Sequence, residues 1–132
     1  MATVFRNGKI IIGNGEVVER GTVTVDEKNI VFVGPANRFR PSKKDTIFDI
    51  SRKTILPGLI DAHVHLCLDG SPDPITSIAK ESISTITLKA GQYARQTVEA
   101  GVTTIRDMGG KDYIDIAVRD GIESGLLQGP RI

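Results

Sequence analysis

The sequence predicts an α/β fold in which a small all-β section precedes the first strand–helix units of a parallel barrel. Three observations predict it. Up to about Ser51 the chain carries short β-branched runs broken by turn residues, with no helical period. From Ile55 onward strand-like and helix-like patterns alternate, which implies parallel pairing through right-handed crossovers. At the join lies Ile55-Leu56-Pro57-Gly58-Leu59-Ile60-Asp61-Ala62-His63-Val64-His65-Leu66, where apolar alternation, a turn signal and metal-binding side chains coincide.

In the first section Thr3-Val4-Phe5 and Lys9-Ile10-Ile11-Ile12 flank Asn7-Gly8, a hairpin dipeptide, and Gly13-Asn14-Gly15 supplies the next turn. Gly21-Thr22-Val23-Thr24-Val25 and Ile30-Val31-Phe32-Val33 read as a further strand pair around the polar turn Asp26-Glu27-Lys28-Asn29, closed by Gly34-Pro35. The expectation is an antiparallel sheet of about four or five strands, marginal by itself and suited to packing on something larger. Residues 37–44, with Arg38, Arg40, Lys43 and Lys44, form a basic loop. An anion site and a solvated linker both fit, and it is read as a linker.

A strand entered through a Pro57-Gly58 turn puts Ile60, Ala62, Val64 and Leu66 on one face and Asp61, His63 and His65 on the other. Two histidines one residue apart cannot share a helix face, but on a strand they stand side by side, as two ligands of one metal require. His-Val-His by itself also fits a hydrogen-bonded pair or surface side chains. Residues 67–74 have the Gly, Pro and Asp content of a loop over the strand's C-terminal end. Cys67 could extend the ligand set, yet as a free thiol it reads as a buried small hydrophobe.

Helical period returns at residues 82–100, where Ile86, Ala90, Tyr93, Ala94, Thr97 and Val98 recur at three- and four-residue steps before Gly101. Val102-Thr103-Thr104-Ile105-Arg106-Asp107 reads as the second strand and Gly109-Gly110 as its loop. Residues 112–124 read as a second helix, with Ile114, Ala117, Val118 and Ile122 inward and Gly125 as its cap. Asp107, at the strand's end, could hold a ligand or a loop, or pair with Arg106 or another arginine.

The 17 basic and 16 acidic side chains leave a net charge of +1, so the charge balance carries no footprint of nucleic acid or a membrane surface. No apolar run approaches the ~18 residues of a membrane span. A single cysteine excludes an internal disulfide framework, and the start Met-Ala-Thr-Val-Phe-Arg lacks an apolar signal core, so a cytoplasmic protein is expected.

The run Pro57-Gly58-Leu59-Ile60-Asp61-Ala62-His63-Val64-His65 resembles the opening barrel strand of the amidohydrolase superfamily, metal-dependent hydrolases on a (β/α)8 barrel. Glu99-Ala100-Gly101-Val102-Thr103-Thr104-Ile105-Arg106-Asp107-Met108-Gly109-Gly110, with Ile122-Glu123-Ser124-Gly125 and Gly129-Pro130-Arg131-Ile132, resembles the next βα units of its subgroup of prolidase-like and Xaa-Arg/Lys dipeptide carboxypeptidases. Imidazolonepropionase-like relatives share much of this pattern.

The resemblance implies the start of a (β/α)8 TIM-type barrel in residues 55–132, preceded by the N-terminal strands of a small β-sandwich in residues 1–54. Because 132 residues fall short of the ~250 of such a barrel, an N-terminal fragment is expected. The resemblance further implies a divalent metal centre, zinc and binuclear in the complete enzyme, with His63 and His65 as ligands and Asp61 and Asp107 supporting them. In the family a carboxylated lysine, two further histidines and a late aspartate complete the site. None is reached here, so no catalytic residue is assigned and the isolated chain is expected to be inactive.

The implied activity is hydrolysis of an amide or dipeptide C–N bond by metal-activated water, in a homo-oligomer. The alternatives are a cyclic-amide hydrolase of the imidazolonepropionase-like kind, and a non-catalytic binding or assembly protein retaining half the fold. A metal-storing module using His63, His65 and Cys67 is a third.

Overall fold

In the computed structural model, which describes residues 1–132, the backbone separates into two units, Met1–Pro57 and Gly58–Ile132. The first holds five strands: β1 (Thr3–Ile11), β2 (Val17–Asp26), β3 (Asn29–Pro35), β4 (Thr46–Asp49) and β5 (Thr54–Ile55). They form one sheet in the order β3-β2-β1-β4, with β5 also pairing β1.

The expected antiparallel sheet is in fact mixed. β1–β2 and β2–β3 are antiparallel, but β4 and β5 both run parallel to β1. A parallel neighbour needs a crossover longer than a hairpin, and the 3-10 turn Ala36–Arg38 followed by the basic loop supplies it. Asp45 closes this loop by accepting from Ser42 N at 2.8 Å and Ala2 N at 3.1 Å. Those two backbone donors hold its carboxyl below the usual carboxylate range.

Asn7-Gly8 does not turn the chain. β1 runs straight through it, with Asn7 at φ 72° and pairing shifts on either side of Gly8, so the dipeptide makes a β-bulge. The hairpin lies at Gly13-Asn14-Gly15, closed by Ile12 N donating to Glu16 O at 3.1 Å. Val4, Ile10, Val23 and Ile50 are buried in this unit, while Ile30, Val31 and Ile47 stay exposed.

The second unit contains β6 (Leu59–Val64), α1 (Pro74–Lys80), α2 (Ile83–Glu99), β7 (Val102–Asp107) and α3 (Ile114–Glu123). β6 and β7 are parallel, and α2 is the crossover between them. Beyond α3, Arg131 bridges in parallel to Thr104 on β7. Arg131 N donates to Thr103 O at 2.9 Å and Ile105 N to Arg131 O at 2.8 Å.

α2 forms where the apolar spacing predicts it. Ser82 Oγ accepts from Thr85 N at its start, Ile86, Ala90 and Ala94 are buried at four-residue steps, and Gly101 at φ +92° stops it. α3 starts at Ile114 and not at Asp112, because Asp112 and Tyr113 hold positive φ within a 3-10 turn. Ile114 and Val118 are buried and Ile122 packs partly, but Ala117, expected inward, is exposed. Together with Leu66, Cys67 and Ile105 these helix residues form one core, each large aliphatic member contributing about 1.5–3 kcal/mol by burial.

Three further expectations are corrected. Residues 56–58 carry no turn, and Gly58 serves a close approach to β7. α1 begins at the last residue of the stretch read as a loop and runs through residues to which the sequence pattern assigns no element, with Asp73 as its cap and Pro74 in its first turn. The apolar face of β6 is not buried along its length: Ile60 is 72% exposed and Ala62 is exposed, and only Val64 and Leu66 turn into the core. β6 pairs with β7 alone, so the helices that cover β7 leave the start of β6 open.

Candidate metal centre

In parallel strand–helix units the loops that carry chemistry leave the C-terminal ends of the strands. β6 ends at Val64 and β7 at Asp107, and Met108 N donates to Val64 O at 2.8 Å, so the two ends lie side by side. His63, His65, Asp61 and Asp107 all belong to these ends.

The pairing of β6 with β7 slips between Asp61 and Val64, where β6 takes one residue more than its partner. That bulge has a local cause. Asp61 Oδ1 accepts from His63 N at 3.0 Å, which takes this amide out of the ladder. Strict alternation therefore breaks within the His-containing run, yet the two imidazoles still lie together. Their ring centroids are 5.4 Å apart with the planes at 67°.

His65 lies one residue beyond the strand, and its ring is fixed by β7's loop. Nδ1 is 2.7 Å from Gly109 O. A carbonyl oxygen only accepts, so Nδ1 carries the proton and Nε2 keeps its lone pair. A backbone carbonyl on the far nitrogen is the support that metal-ligating histidines commonly have. Gly109 was legible only as part of a Gly-Gly loop; its carbonyl's role depends on where the loop folds.

Asp107 pairs with no arginine, and both its oxygens accept from backbone amides. Oδ2 accepts from Leu66 N at 3.0 Å and Oδ1 from Gly109 N at 2.9 Å, so one carboxylate ties the loop after β6 to the loop after β7. Its position thereby governs both His65 and the carbonyl that orients it. In Asp107→Asn a single carbonyl oxygen replaces two carboxylate acceptors, and one of the two amides loses its partner. At about 1–3 kcal/mol for an unmade buried bond, hydrogen exchange at Leu66 or Gly109 should accelerate roughly tenfold or more. Unchanged exchange at both amides would show that the carboxylate does not hold these loops.

Cys67 does not join the histidines. It is a free thiol, 7% exposed, in the core cluster with Leu66, Ile105 and Ile114. No three His, Cys, Asp or Glu side chains come together in a geometry that could hold a metal ion. The donor set fits a divalent metal as two neutral imidazoles, with further ligands required from outside these residues.

Residues 54–132 match the model of the Amidohydrolase family. The chain belongs to the amidohydrolase family. It is 37% identical over 100 residues to the dihydroorotase of Geobacillus thermodenitrificans (strain NG80-2), an alignment covering 76% of this chain and 22% of that enzyme. It is 36% identical over 55 residues to the imidazolonepropionase of Bacillus cereus (strain G9842), covering 42% of this chain and 13% of the relative.

Among solved structures, a Xaa-Pro dipeptidase with methionine bound in its active site superposes over 100% of this chain and 32% of its own, with a TM-score of 0.83 and 33% identity. Molinate hydrolase superposes over 99% of this chain and 29% of its own, with a TM-score of 0.83 and 29% identity. The stretches of this amidohydrolase chain that match span between 13% and 32% of these relatives' lengths. No helix is long and apolar enough to cross a membrane.

Proposed function

We propose that this chain is the opening part of a metal-dependent amidohydrolase that hydrolyses an amide or peptide C–N bond, with His63 and His65 as ligands of a divalent metal. The observation that carries this reading is His65 itself: Nδ1 donates to Gly109 O, and Nε2 of the neutral ring keeps a free lone pair beside the His63 ring. Zinc suits two neutral imidazoles, and membership of the amidohydrolase family supports a metal centre, read here as binuclear with its other ligands supplied from outside these residues.

Such a centre supplies a water of lowered pKa and polarises the scissile carbonyl. The chain's own residues do the holding. Asp61 keeps the His63 backbone bulged out of the ladder, Gly109 fixes the His65 tautomer, and Asp107 locks the two loops that carry them. With only two ligands in these residues, the isolated chain is read as inactive. Its lone cysteine, buried as a free thiol, suits a reducing cytoplasm.

A dipeptide substrate is favoured by the superposition of this whole chain on 32% of the Xaa-Pro dipeptidase at 33% identity. A dihydroorotase-like activity is the second reading, favoured by the 37% identity to that enzyme. The test is metal analysis of the enzyme that contains this chain, combined with turnover of Xaa-Pro dipeptides and of dihydroorotate before and after chelation. At least one divalent ion per chain and loss of turnover on chelation are expected. Undiminished turnover by metal-free protein would overturn the proposal.

A further inference from the structure

We propose that the loop following β6 builds the pocket for an apolar side chain of the substrate, with Leu68, Ile75 and Ile78 as its specificity-determining wall. This rests on the reading of His63 and His65 as the reaction centre.

The starting observation is that α1 is only lightly packed: Ile78 rests on the core cluster, while Ile75 on the same helix is left open. None of its seven residues is buried, and Ile75 is 63% exposed. A helix of this length is unstable alone in water, so its position must be imposed by ties to its surroundings. Apart from Ile78, those ties are polar. Asp73 caps its first turn through Thr76 N, and Ser77 Oγ donates to Asp69 Oδ2 at 3.0 Å. Lys111 Nζ, from the loop after β7, donates to Ile78 O at 3.1 Å and to Glu81 O at 3.4 Å.

What the ties achieve is a placement. Ile75 and Ile78 line a cavity of about 260 Å³ together with Leu68, Gly110, Lys111 and His65. The cavity thus opens on the histidine that carries the proposed function. Its floor cannot be filled from the second loop, because a Cβ at Gly110 would lie 2.6 Å from Cys67 Sγ.

The chemistry of the lining selects the occupant. No carboxylate lines the cavity, the Lys111 ammonium is already engaged by two carbonyls, and His65 Nδ1 is held by Gly109. A cation entering here would lose its hydration without a counter-charge, and an anion would have to compete with two carbonyls for the single Lys111 ammonium. A neutral apolar group would exchange water for Leu and Ile side chains. The size fits one Leu-, Met- or Phe-like side chain, since pockets for whole ligands run to about 300–1,000 Å³.

The experiment uses the enzyme that contains this chain and a series of Xaa-Pro dipeptides differing only in Xaa: Gly, Leu, Met, Phe, Asp and Lys. The wild type should favour Leu, Met and Phe over Gly, Asp and Lys by roughly tenfold or more in kcat/KM. Ile75→Asp alters an exposed position, and Leu68→Trp fills the cavity. Each should reduce the Leu/Gly ratio about tenfold, while Leu126→Asp, at an exposed site outside the pocket, should leave it unchanged.

Direct binding gives a readout apart from turnover: titration with N-acetyl-leucine amide should shift the amide resonances of Leu68, Ile75 and Ile78, and N-acetyl-aspartate amide should not. A wild type without apolar preference, or pocket variants with wild-type metal content and an unchanged Leu/Gly ratio, overturns this inference alone. A wild type that holds no metal and turns over no dipeptide overturns the metal-hydrolase reading, and this inference falls with it.

Discussion

Replacing His63 and His65 together by alanine should remove the metal from the complete enzyme and with it nearly all turnover, while leaving the fold in place. The fold should survive because His63 is exposed and the buried cluster is built from Leu66, Cys67, Ile105 and the two long helices, none of which rests on an imidazole. Turnover should not survive, because an activated water and a polarised carbonyl are together worth several kcal/mol of transition-state stabilisation. At about 4 kcal/mol the rate falls roughly a thousand-fold.

The single variants should differ from each other. His65→Ala also releases the Gly109 carbonyl, so it should loosen the loop after β7 as well as the metal, whereas His63→Ala should affect the metal alone. The check is metal content, circular dichroism and kcat/KM on one preparation of each variant. Turnover within tenfold of wild type in the double variant would remove both histidines from the reaction.

Gly58→Ala should be the most destabilising single methyl addition in the second unit. An added Cβ would lie 2.1 Å from Thr103 Oγ1, 2.4 Å from Cγ2 and 2.7 Å from Cβ. A rotamer change can move the first two atoms, but Thr103 Cβ is fixed to the β7 backbone. The strands must therefore separate where Leu59 pairs with Val102 and Ile60 with Thr104, and Thr103 is already the extra residue between those pairs. Overpacking of this kind costs about 1–3 kcal/mol where side chains can yield; a backbone-anchored clash belongs at or above the top of that range.

Urea unfolding followed by the amide exchange of β6 and β7 would measure the cost. Thr103→Gly in the Gly58→Ala background removes the clashing Cβ and should recover part of the loss. Absence of any recovery would mean that the glycine is required for another reason.

How far the sequence reached can be argued residue by residue. The spacing of Ile86, Ala90 and Ala94 placed α2, and Val102 to Asp107 marked β7, because in both the local pattern and the burial agree. The two imidazoles were legible as neighbours because one intervening residue brings side chains together in extended chain. The family was legible for a related reason: its motif is short and contiguous, so no folding is needed to assemble it.

Other features depended on residues distant in sequence. Asn7-Gly8 has hairpin composition, yet β4 and β5 pair along β1 on both sides of it and hold it as a bulge. Pro57-Gly58 reads as a turn, but Thr103, far along the chain, is what demands the glycine. The burial of β6 could not be read from its alternation, since alternation marks a face without saying what covers it.

By itself, then, the sequence determined the order of β6, α2, β7 and α3, the identity of the two candidate ligands and the family. Those are properties of local pattern, set by periods of two and 3.6 residues and by a contiguous motif. Only the tertiary structure decided that Asp107 is a clamp between loops and that Gly109 sets the His65 tautomer. Each depends on a hydrogen bond across some forty residues of intervening chain, and such a pairing has no signature in either segment read alone.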